Sequence, residues 1–121
     1  DENYVGYGNE DWELSYRLYT HHNYIPIYDD NISAYHLESA ISNVFRTGKH
    51  GDIVEHMRNI LYFFDKCPGL DIEEAFFGFP RFELDETANK WSVIPRSNDI
   101  SREDIINKVQ QVRKWFEENP E

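Results

Sequence analysis

The sequence predicts an α+β fold, a single domain over residues 1–121 with about three amphipathic helices packed on a small antiparallel sheet. Three observations predict it. Apolar residues recur at helical spacing in three stretches. They alternate at period two around residues 12–18 and again near 82–84. A polar run at 85–90 then reads as a hairpin connection between two short strands.

Taken in order, residues 12–18 alternate as Trp12, Leu14, Tyr16 and Leu18, with Glu13, Ser15 and Arg17 between. That pattern predicts a half-buried strand. A helix starting near Asn9 is the alternative, because Trp12, Tyr16 and Tyr19 also share a helical face. Residues 23–28 read as extended, with Pro26 restricting them to an edge strand or a loop.

A first helix is expected from about 33 to 47, capped by Ser33 and ended by Gly48, with Leu37, Ile41, Val44 and Phe45 on one face. A second is expected from about 52 to 66, with Asp52 as its cap and Glu55 at the capping-box position. Its stripe is Ile53, Met57, Ile60, Leu61 and Phe64, and Pro68-Gly69 stops it. Residues 71–77 read as a short helix. The last helix is expected from about 102 to 118, capped by Ser101 with Asp104 three residues on, and striped by Ile105, Ile106, Val109, Val112 and Phe116. Between them, Phe82 and Leu84 alternate with acids, and Trp91 and Val93 follow the polar run.

The bulk properties fit this plan. A chain of 121 residues buries roughly two-thirds of its unfolded surface, enough for one core without metal or disulfide staples. The lone cysteine, Cys67, cannot form an internal disulfide. It sits at a helix end with no His or cation cluster to activate it, so it reads as a structural, partly buried thiol. No run of about 18 apolar residues crosses a membrane. No signal-peptide pattern is visible, and the expected location is the cytoplasm.

Charge is the most informative feature. The formal net charge is -11, from 23 acids against 12 Lys and Arg. Phosphate backbones and anionic lipids repel such a chain, which argues against nucleic acid and membrane, while basic proteins attract it. The excess is local. Residues 1–30 hold seven acids and one base, and residues 71–86 hold six acids and one base. The remaining stretches are balanced. The same two segments concentrate aromatics. Six of eight tyrosines lie in the first 30 residues, and Phe76, Phe77, Phe79 and Phe82 lie in the second segment. Tyrosine offers contact area and a polar tip at low entropic cost, which suits interfaces.

Motifs for chemistry are missing. His21, His22, His36, His50 and His56 show no metal-ligand spacing. Gly6 and Gly8 form only Gly-Tyr-Gly, without the helix and Lys-Ser/Thr of a phosphate cradle. No nucleophile elbow occurs. Tyr35, His36 and Glu38 are the best acid/base grouping, of a kind that helix surfaces produce freely. Lys108, Arg113 and Lys114 are balanced by Glu117 and Glu118 and read as a solvated helix face. No catalytic, metal or cofactor residue is therefore assigned.

One resemblance adds to this. Asp11-Trp12 near the N-terminus, then Ala40-Ile41-Ser42-Asn43-Val44-Phe45, then Ile60-Leu61-Tyr62-Phe63-Phe64, follow an order similar to some immunity proteins of bacterial contact-dependent growth inhibition. The resemblance covers about half the chain, and no family-defining motif matches. It implies a protein partner, a basic toxin domain, often a nuclease, whose active site is occluded. The residues expected to meet it are Glu10, Asp11, Glu13, Tyr16, Tyr19, Asp71, Glu73, Glu74, Phe77, Asp85 and Glu86. Alternatives are a phage-type acidic inhibitor that mimics nucleic acid, and a small enzyme with an unrecognised site.

Overall fold

Helix α1 (Glu10–His22), with Asn9 as its N-cap, forms where the period-two pattern predicted a strand, so the alternative of a helix starting near Asn9 is the one observed. The stretch contains no Gly or Pro, and its first turn carries Glu10, Asp11 and Glu13, which are favourable to the helix dipole. Asn23 closes it in the left-handed region at φ 54°. The amide N–H of Asn23 donates to Tyr19 O and that of Tyr24 to Leu18 O. Successive even-numbered residues of a helix lie about 200° apart, so Trp12, Leu14, Tyr16 and Leu18 are distributed over opposite faces. A strand would have put them all on one side, and a helix cannot bury them all.

The computed structural model describes residues 1–6, 8–25, 27, 29–34, 50–67, 69, 79–95 and 99–120. The helix expected at 33–47 and the short helix at 71–77 lie outside these residues, Ser33 and Ala34 apart. Among the described residues the further elements are α2 (His50–Lys66), a 3-10 turn (Phe79–Arg81), β1 (Phe82–Asp85), β2 (Lys90–Val93) and α3 (Arg102–Glu118). Three helices and a two-stranded antiparallel sheet make the fold α+β, as expected. Residues 23–25 and 27 join no sheet, which leaves the loop rather than the edge strand.

Helix α2 is described from His50 to Lys66, so Asp52 lies inside it and is not its cap. Its expected stripe is correct: Ile53, Met57, Ile60 and Leu61 are buried and Phe64 packs against them. Cys67 follows the last turn and is buried. The hairpin pairs Phe82 with Val93 and Leu84 with Trp91, which puts these four on one face. Its turn is built by Asp85, whose Oδ1 accepts the N–H groups of Thr87 and Ala88. Helix α3 opens with a capping box. Ser101 Oγ accepts the Asp104 N–H, and the Asp104 carboxylate accepts the Ser101 N–H.

The core lies between α2, α3, the 3-10 turn and the hairpin. Ile53, Met57, Ile60, Phe79, Phe82, Trp91, Val109, Val112 and Trp115 are its main members. Among the described residues, none of α1 belongs to it. A bidentate pair from Arg113 to Asp65, at 2.7 and 3.2 Å, links α3 to α2. Arg113 is thus engaged across helices and not with the acids of its own last turn. Lys114 does pair locally, with Glu118 at 3.6 Å.

Candidate protein-binding surface

The N-terminal residues strap α1 to α2. Asn59 Nδ2 donates to Val5 O at 2.9 Å. Asp1 accepts from Tyr62 Oη at 3.0 Å and forms an ion pair with Lys66. Tyr4 meets Tyr62 edge to face at 5.0 Å. Gly8 explains part of the Gly-Tyr-Gly motif. Its φ is 101°, and a Cβ there would stand 2.6 Å from His56 Nδ1. Only glycine lets the strap pass this close.

Under the strap lies a buried polar spot. Glu13 is 4% exposed, and its carboxylate takes Arg17 Nε at 3.2 Å and Nη2 at 3.3 Å. The Tyr4 hydroxyl is buried without a hydrogen-bond partner. Burial first, and then the nearby Glu13 carboxylate, push its phenol well above the usual range. The same two causes, in the same order, raise the Cys67 thiol. Glu13, expected among the partner-facing residues, is thus buried within the chain itself. It holds Arg17 and the inner side of α1.

The outer side of α1 is apolar and acidic together. Trp12 is 55% exposed and Tyr19 59%; Leu14, two residues on from Trp12 and so on the opposite face of the helix, is exposed as well. Tyr16 is half-buried between Trp12 and Tyr19. Glu10 and Asp11 are exposed at the start of the helix. The chain leaving α1 continues the pattern. Tyr24, Ile25, Ile27 and Ile32 are exposed, Ile27 to 87%, and Asp29 and Asp30 stand among them. Every exposed large hydrophobic among the described residues lies between Val5 and Ile32. Glu2, Glu10, Asp11, Asp29 and Asp30 have no salt-bridge partner among the described residues.

The sequence named Glu10, Asp11, Tyr16 and Tyr19 here, and the structure brings them onto one helix. It missed Trp12 and Leu14 as surface residues, because the strand pattern buried them, and it missed Ile25, Ile27 and Ile32. Asp85 and Glu86 are exposed on the hairpin turn, at a distance in sequence from α1. Glu86 borders a shallow cavity of about 330 Å3 shared with Leu84, Asn89, Gln111, Lys114, Trp115 and Glu118. Asp71, Glu73, Glu74 and Phe77 lie outside the described residues, as do Tyr35, His36 and Glu38.

Among the described residues no three His, Cys, Asp or Glu side chains are grouped to hold a metal ion. No helix among them is long and apolar enough to cross a membrane. No family model, curated protein or solved structure matches the chain.

Proposed function

We propose that this chain is an acidic, immunity-type protein of the bacterial cytoplasm that binds a cognate basic toxin, nuclease-like in character, and occludes its active site. The observation that carries the proposal is the inverted character of α1. The residue it buries is a glutamate, while Trp12, Leu14 and Tyr19 are left in solvent beside Glu10 and Asp11. Burying a Trp-sized side chain is worth roughly 1.5–3 kcal/mol. A fold that leaves several such side chains outside its core gains that free energy only when a partner covers them. Uncompensated acids beside them favour a cationic partner and speed its approach.

The test is co-expression with the product of the adjacent reading frame. The proposal expects a stable complex and suppression of that product's toxicity. Free passage of the two proteins on gel filtration, with toxicity unchanged, contradicts it.

A further inference from the structure

We infer that the outer face of α1, together with the chain leaving it, is a docking surface for a basic amphipathic helix. This rests on the partner-binding reading above and names the surface and the shape of its occupant. Trp12, Tyr16 and Tyr19 stand at i, i+4 and i+7, a single ridge along two turns, roughly 10 Å long. Ridges of this spacing accept the ridges of a second helix. The occupant's apolar stripe would cover Trp12 and Tyr19. Its flanking Lys or Arg would reach Asp11, about 100° round the helix from Trp12 and exposed.

Charge decides what the occupant is. The face carries acids with no cation partner among the described residues. A second copy of this chain, at net charge -11, would bring acid against acid, and so would an anionic membrane. A neutral apolar helix would leave Asp11 facing apolar surface. A cationic amphipathic helix satisfies both the apolar ridge and the acids. Since α1 supplies no residue to the core formed by the described residues, docking requires no unpacking of that core.

Trp12 makes the inference measurable. Trp91 and Trp115 are both buried, so Trp12 alone among the tryptophans reports on the surface. The probe is a pair of synthetic Leu/Lys peptides of one composition, about five turns long. One has its Leu on a single helical face and the other is scrambled. The amphipathic peptide should shift the emission of the full chain to the blue and protect it from acrylamide. The scrambled peptide should bind at least tenfold more weakly. Trp12→Phe should abolish the spectral change but keep most of the affinity. Trp12→Ala with Tyr19→Ala should lower affinity tenfold or more at unchanged melting temperature. Equal binding of both peptides, no binding of either, or full affinity in the double variant overturns the inference. The two readings fail separately. Should the cognate toxin bind the double variant undiminished, this surface assignment falls and toxin neutralisation survives. Should the peptide results hold while the adjacent gene product ignores the chain, the surface survives and the toxin reading falls.

Discussion

Asn59 and Val5 are joined by a reciprocal pair of hydrogen bonds: the Asn59 amide donates to Val5 O at 2.9 Å, and its Oδ1 accepts the Val5 N–H at 3.4 Å. Asn59 is itself buried on α2, so one side chain gives the N-terminal strap the two bonds a neighbouring strand would give. Asn59→Ala removes both bonds and should cost about 1–3 kcal/mol, at roughly 0.5–1.5 kcal/mol each. Hydrogen exchange at the Val5 amide should accelerate more than exchange within α3. Equal acceleration in both would mean the strap is not locally held.

The glycines give opposite expectations. Gly8→Ala meets both a left-handed φ and the His56 ring, and should destabilise by more than about 1 kcal/mol. Gly51 lies within α2, and a Cβ there meets nothing within 4 Å. Gly51→Ala should stabilise by roughly 0.5–1 kcal/mol through helix propensity. Thermal melts of the two variants should therefore move in opposite directions from the wild type.

How far these features were legible depends on how local their causes are. Helix α3 was readable to its boundaries, because Ser101 and Asp104 fix its start within four residues and Ile105, Val109 and Val112 keep the helical period. The hairpin was readable for the same reason, from Phe82, Leu84, Trp91 and Val93 around a polar turn. Helix α1 was not. Its apolar residues alternate, and Asn9 makes no side-chain cap bond to announce a start. Asp52 misled because a capping residue type also occurs inside a first turn. At the surface, the acids were legible as charge, but Glu13 was not legible as buried, since only packing against the strap decides that.

The capping box predicts a pH signature. Hydrogen bonds from the Ser101 side chain, then its backbone, hold the Asp104 carboxyl below the ordinary value of 3.8. A carboxylate lowered in the folded state stabilises fully above its unfolded pKa, and that stabilisation is lost as pH falls through the folded one. Ser101→Ala should lower the melting temperature by a few degrees at pH 7. The gap from wild type should narrow as pH drops below about 4. A gap constant down to strong acid would contradict the assignment.

Burial beside Glu13 sets the behaviour of Cys67 and Tyr4. Cys67 is 1% exposed with its thiol raised, so Ellman's reagent should leave it unmodified in the native protein and label it at the rate of global unfolding. Tyr4→Phe deletes a hydroxyl that has no hydrogen-bond partner. It should be neutral or stabilise by up to about 1 kcal/mol, in contrast to the cost of Asn59→Ala nearby.

The central claim is that the acids of α1 draw a basic partner onto an exposed aromatic ridge. Stopped-flow association with the adjacent gene product tests it most directly, with Trp12 as the signal. Three proteins are compared from low salt to about 0.5 M, where the screening length falls to about 4 Å. They are wild type, Glu10→Lys with Asp11→Lys, and Glu117→Lys with Glu118→Lys. The account predicts that wild-type association slows several-fold with salt. The α1 reversal should associate about tenfold more slowly at low salt and converge on wild type at high salt, while the α3 reversal stays within about threefold throughout. Association that is flat with salt, or slowed equally by both reversals, would contradict it.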